Sequence, residues 1–198
     1  MIRAPSLSDR PSPDSEHRIN LVQGQYHVSS DPDLVLTTTL GSCIAACIRD
    51  PLAGAGGMNH FLLPDGGDDS GPEALRYGVH AMELLINQLL RCGARRDRME
   101  AKLFGGARLI DNLADVGAKN AEFAVTYLSR EGIRYAGGSL RGHKARRIQF
   151  WPVSGRIRQL TIARTSPRLA NLESQKGRPP VEDGAVEWFQ NNPASSRP

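Results

Sequence analysis

The chain has 198 residues, with 25 Lys and Arg against 21 Asp and Glu and a formal net charge of +4. Hydrophobic residues make up 39% of it. That is enough core for one domain of about 150 residues with tails, and no run approaches the roughly 20 apolar residues of a membrane-spanning helix.

Three cysteines are too few for a disulfide scaffold. The polar start, Met1 to His17, carries no apolar stretch of the secretory kind. Reduced thiols in a cytoplasm are therefore the expectation. Residues 1–16 mix Pro, Ser, Asp and Arg without periodicity and read as a disordered tail. Residues 165–198, with Pro167, Pro179, Pro180, Pro193 and Pro198, read as a second, flexible one. One domain is expected over 17–164.

Strands are expected at 26–29, 34–39, 43–49 and 56–63. Asp50-Pro51-Leu52-Ala53-Gly54 has turn chemistry, which makes the last two strands a hairpin. A polar loop rich in Gly, Asp and Pro follows over 64–72. Leu75, Val79, Met82, Leu85, Ile86, Leu89 and Leu90 recur at helical spacing, so a helix is expected over 73–91, stopped by Gly93. A strand at 100–104 runs into Gly105-Gly106. A second helix spans 118–131, with Ala121, Ala124, Val125 and Leu128 on one face and Gly132 at its end. Late strands fall at 133–136, 146–152 and 157–162. Hairpins beside helices imply mixed α+β layers rather than a strictly alternating doubly wound sheet.

Chemistry gathers in three places. In Gly41-Ser42-Cys43, a small-residue turn delivers a thiol whose neighbouring N–H groups could hold an oxyanion; the plain reading is a buried cysteine opening a strand. His60 lies on the next strand, and antiparallel pairing returns it towards Cys43 as a general base. Thr37-Thr38-Thr39 offers hydroxyls that could orient the imidazole, or only β propensity. Cys47 and Cys92 read as structural, since no second pair with metal-ligand spacing exists. The basic clusters Arg91/Arg95/Arg96/Arg98 and Arg141/His143/Lys144/Arg146/Arg147 lack interleaved aromatics, which argues against nucleic acid. No phosphate-binding glycine motif occurs. The acidic-aromatic stretch 182–189 reads as a docking peptide or as a segment that folds back on the domain.

Taken together, Thr37 to Pro51, Gly56 to Pro64, Glu100 to Ala107, Val116 to Asn120 and Arg141 to Arg147 resemble the CheD family, the chemoreceptor glutamine deamidases of bacterial chemotaxis. The resemblance runs over about residues 20–162. It implies a layered α/β/β sandwich with two main helices. It implies a cysteine hydrolase that converts protein glutamine to glutamate and ammonia through a thioester, without metal or cofactor. The family's nucleophile falls on Cys43, its histidine on His60 and its threonine on Thr37, with Thr38 the nearest alternative. The partner implied is the cytoplasmic domain of a methyl-accepting chemoreceptor, and in some relatives a chemotaxis phosphatase; neither nucleic acid nor membrane insertion is expected. The competing readings are a non-catalytic scaffold of the same family and a general cysteine amidase or protease.

Overall fold

Alternation along one strand sets the layering. In β4 (Ile44–Asp50), Ile44, Ala46 and Ile48 join one apolar cluster, while Ala45 and Cys47, with Cys43 just before them, join another. A strand buried on both faces must lie in a middle layer. The computed structural model describes residues 17–64, 71–109, 115–162 and 185–190. The tail expected at 1–16 lies outside these, as do most of the one expected at 165–198 and residues 65–70 of the polar loop.

In chain order the elements are β1 (His17–Asn20), β2 (Tyr26–Ser29), β3 (Leu34–Leu40), β4, β5 (Ala55–Asn59), α1 (Gly71–Arg91), β6 (Glu100–Gly105), α2 (Val116–Arg130), β7 (Arg134–Leu140), β8 (Arg146–Phe150), β9 (Ile157–Thr161) and β10 (Val186–Phe189). They form two mixed sheets. The outer sheet has the order β1-β3-β8-β9-β10 and the middle sheet β2-β5-β4-β6-β7. The β1–β3 and β6–β7 pairs are parallel and the rest antiparallel. Helix α1 packs over β5 and β2, and α2 over β6 and β7. The fold is therefore α+β, with a helix layer, a middle sheet and an outer sheet. Met82, Leu85, Ile86 and Leu89 fill the space between helices and middle sheet. Leu36, Leu40, Met58, Phe104, Ile148 and Phe150 fill the space between the sheets.

Some elements depart from expectation. Strand β5 ends at Asn59 rather than at 63, because the Asn59 carboxamide takes a ladder bond: its Oδ1 accepts from Ala46 N at 3.0 Å, and its Nδ2 donates to Ala81 O on α1 at 3.0 Å. Pairing resumes in register as a bridge between Ile44 and Phe61. Leu75 and Val125 are exposed rather than in the core. The buried stripe of α2 runs through Gly117, Asn120, Ala121, Ala124, Tyr127 and Leu128, and Val125 falls one position off it. Cys92 is exposed, not structural. At the C-terminal end, Val186–Phe189 folds back and pairs antiparallel with β9. Phe189 meets Phe104 edge-on at 5.1 Å between ring centres, and the Arg156 guanidinium lies over Trp151 beside Trp188. Residues 182–184 of that stretch lie outside the described residues.

The turn after β4 shows why Asp50 is there. Its fully buried carboxylate accepts from Leu52 N and Ala53 N at 2.9 and 3.2 Å. It also accepts from Arg95 N at 2.9 Å and pairs with Arg98 at 2.7 Å. Burial alone would raise its pKa; these donors outweigh burial and hold it below the ordinary carboxylate range. One side chain thus closes the hairpin and fixes the segment between α1 and β6. Asp50→Ala strands these donors and the guanidinium, and is expected to cost about 3 kcal/mol in urea unfolding.

Candidate active site

The register of the β4–β5 hairpin decides what Cys43 meets. Cys47 lies opposite Met58 and Ile44 opposite Phe61, so His60 lies opposite Ala45. Cys43 and His60 are then diagonal neighbours on one face, roughly 7 Å apart by ordinary sheet geometry. That face looks into the space between the sheets, where Cys43 packs with Met58 and Leu36. Both side chains are buried, Cys43 at 1% exposure and His60 at 3%.

The outer sheet supplies the third member. Leu34, Leu36 and Leu40 of β3 point inward, so Thr38 points inward by the same alternation and Thr37 outward. Thr38 Oγ1 lies 2.9 Å from His60 Nδ1. Thr37, the position matched by the family resemblance, does not reach the imidazole; its buried hydroxyl has no hydrogen-bond partner among the described residues. The reason is strand parity: one residue along β3 turns the side chain to the opposite face. Of the two threonines, Thr38 is the one whose hydroxyl meets His60.

Donor arithmetic fixes the histidine tautomer. The single Thr38 hydroxyl proton goes to Leu21 O at 2.7 Å, since a carbonyl can only accept. The short contact to His60 then requires a proton on Nδ1. Nε2 is left with its lone pair, buried and without a hydrogen-bond partner among the described residues. An orphan acceptor in a core is costly, and this one is a lone pair open to a proton. Burial pushes the imidazole pKa down to about 4, against which the Leu21 carbonyl acts, so the ring is neutral at pH 7.

Loops hold the thiol's backbone from several sides. Ala107 N donates to Gly41 O and Gly106 N to Cys43 O, both at 2.8 Å. Gly105 and Gly106 adopt φ of 108° and 68°, which glycine alone takes at little cost. Asn120, fully buried in the first turns of α2, donates to Ser42 O at 3.1 Å and accepts from Leu63 N at 2.8 Å. It thereby joins both arms of the hairpin end. Its role was visible in the sequence only as part of the family-like segment Val116–Asn120. Gln23 is a second residue that motif reading missed: its Oε1 accepts from Cys43 Sγ at 3.7 Å. A glutamine in a short turn before β2 carries no signal of its own.

The other candidates go elsewhere. Cys47 is buried, and desolvation pushes its thiol pKa far up, which leaves it inert. Four members of the basic clusters are taken up internally. Arg96 pairs with Glu131, Arg98 with Asp50 and Arg141 with Asp115, while Arg146 is buried and donates to Ser139. No helix among the described residues is long and apolar enough to cross a membrane.

The sign of the His60 shift makes a stability prediction. Its folded pKa of about 4 lies below the ordinary 6.5, so the unfolded chain takes up the proton first. Stability from keeping the ring neutral is complete above pH 6.5 and falls as pH drops towards 4. Between pH 7 and pH 5 this amounts to about 2 kcal/mol. Urea titrations of wild type should show that loss, and His60→Gln should lack it.

Known proteins resemble the chain closely. The family model described as CheD chemotactic sensory transduction matches residues 62–161. A relative from Acidiphilium cryptum (strain JF-5) is 57% identical over 90% of this chain and 96% of its own. One from Agrobacterium fabrum (strain C58 / ATCC 33970) is 61% identical over 87% and 96%. Both carry the name "Probable chemoreceptor glutamine deamidase CheD". Among solved structures, a Neisseria meningitidis protein of family DUF152 is similar at TM-score 0.42 and 12% identity, over 65% of this chain and 64% of that one, a likeness too slight to define the fold.

Proposed function

The chain belongs to the CheD family, and from that premise and the site's geometry we propose that Cys43 is the nucleophile of a glutamine deamidase, with His60 as its base and Thr38 as the residue that orients the base. The carrying observation is the 2.9 Å contact of Thr38 Oγ1 with His60 Nδ1; with the Thr38 proton given to Leu21 O, it puts the ring proton on Nδ1 and leaves Nε2 open in the same buried layer as Cys43. The substrate class we assign is glutamine side chains on the cytoplasmic domain of a methyl-accepting chemoreceptor, met in the cytoplasm.

His60 Nε2 takes the Cys43 thiol proton, and the thiolate attacks the side-chain amide carbon. The carbonyl oxygen becomes an oxyanion. The carbonyls of Gly41 and Ser42 are anchored by Ala107 N and Asn120. In a trans peptide the N–H points opposite its carbonyl, so the Ser42 and Cys43 N–H groups face away from those anchors. We assign them as the oxyanion donors. Collapse breaks the C–N bond, and His60 returns the proton to the departing nitrogen, which leaves as ammonia. A water molecule, relieved of a proton by His60, then attacks the thioester. The C–S bond breaks, Cys43 recovers its proton, and glutamate is released. Net, glutamine and water become glutamate and ammonia.

Peptide mass spectrometry of a purified receptor cytoplasmic fragment tests this. Incubation with wild type should convert specific glutamines to glutamates, and Cys43→Ala or His60→Ala should abolish the change while both remain folded. Binding without conversion by wild type would favour a scaffold instead.

The threonine assignment has its own test. Thr38→Val removes the orienting hydroxyl and should lower kcat by about tenfold or more. Thr37→Val removes a buried hydroxyl without a partner among the described residues; it should leave kcat alone and raise stability by about 1 kcal/mol. The reverse pattern would return the role to Thr37.

A further inference from the structure

The nucleophile is covered as it stands. Cys43 and His60 are almost fully buried, yet a glutamine on a protein surface must reach them. The group lying against the thiol is itself a glutamine carboxamide, that of Gln23, an exposed residue whose Oε1 accepts from Cys43 Sγ at 3.7 Å.

The turn that carries Gln23 is strapped to the base. Gly24 N donates to His60 O at 2.7 Å, and His60 N donates to Gln25 O at 2.9 Å. The turn is closed by Gln25 N to Val22 O at 3.1 Å and by Val22 N to the Gln25 side chain at 3.1 Å. Leu21, at its start, accepts from Thr38. Gly24 has a φ of 85°, which lets the chain double back this tightly. The Gln23 side chain takes part in none of these bonds. It can therefore leave the thiol by rotating into solvent while the turn keeps its place on His60. Meanwhile His60 Nε2 has no hydrogen-bond partner among the described residues. In this state the thiol proton is turned towards Gln23 and the base is idle.

We propose that Gln23 is a built-in substrate analogue: its carboxamide occupies the place of the target glutamine amide over Cys43, and an incoming glutamine reacts by displacing it. This rests on Cys43 being the nucleophile. The functional group is that of the substrate, and its carbonyl oxygen lies on the sulfur where a target amide must bring its carbon. Displacement breaks only the thiol–carbonyl hydrogen bond that Gln23 makes, a weak one. The competition also acts as a filter. Only a glutamine presented at high local concentration, as by a docked receptor, outcompetes a residue tethered in place.

Alkylation of Cys43 by iodoacetamide tests this in the full chain without receptor, with peptide mapping to separate Cys43 from Cys47 and Cys92. Gln23→Ala and Gln23→Asn, the second of which withdraws the amide by one methylene, should alkylate about threefold faster than wild type, the low end of the weight of a hydrogen bond. Gln23→Met, which keeps the length but not the carbonyl, should do the same. With the receptor fragment, the KM of Gln23→Ala should fall by a similar factor, because the binding-competent fraction rises. Equal alkylation rates in wild type and Gln23→Ala, with unchanged circular dichroism, would overturn the proposal. Protection retained by Met would also overturn it, since bulk alone would then be the cover. The alkylation arm needs no turnover: faster alkylation with no receptor glutamine converted would defeat the deamidase reading and leave the cover over Cys43 standing.

Discussion

A single hydrogen bond between two sheets organises this molecule: Thr38 on the outer sheet to His60 at the edge of a hairpin in the middle sheet, at 2.9 Å. Sheets that face each other pack about 10 Å apart, a gap that two opposed polar side chains can span only if both point inward at the same height. The apolar neighbours enforce that height. Leu36, Leu40, Met58, Phe104 and Phe150 interlock around the pair, so the imidazole is oriented by packing as much as by the hydroxyl. The bond then sets the tautomer, and the tautomer sets which nitrogen can serve chemistry. Core and site are therefore one structure, and a slip of one residue in β3 would dismantle the site without removing any of its members.

Strand β4 divides the labour along its length. Asp50 at one end is bound by four donors and fixes the turn. Nearby, Glu100 is held between Arg49 and Arg134; burial opposes its ionisation, and the two guanidiniums outweigh burial and keep its pKa low. Cys43 sits beyond the other end, about 20 Å away at the ordinary rise of a strand. The charged end carries satisfied ion pairs. The other end carries a thiol and an imidazole nitrogen without a hydrogen-bond partner among the described residues. Stabilising pairs are concentrated at one end of the strand, and the costly groups lie at the end that carries the proposed site.

Much of this was legible in the sequence, for identifiable reasons. Both helices were written in their apolar spacing, and the hairpin in Asp50-Pro51 and its following glycine. Antiparallel return of His60 towards Cys43 followed from that turn. What alternation could not settle was the parity of β3, because Thr37, Thr38 and Thr39 are the same residue type; parity shows only when Leu34, Leu36 and Leu40 are seen to line one core. Strand β1 escaped notice because four residues, mostly exposed, show no pattern until β3 lies beside them. Asn120 and Gln23 were not legible as site residues, since each acts by meeting backbone or side chain from a distant part of the chain.

The last strand has a meaning beyond the site. Without Val186–Phe189, β9 would be the border of the outer sheet, with a row of peptide groups facing water and Ile157 and Phe104 partly uncovered beside them. Such a border is a template on which another chain can add itself. Strand β10 occupies that template with the protein's own sequence, and Lys102 fastens it by donating to Phe189 O at 3.3 Å. A chain trimmed after β9 could keep Cys43, His60 and Thr38 in place and still fail as a protein, by joining edge to edge with its own copies.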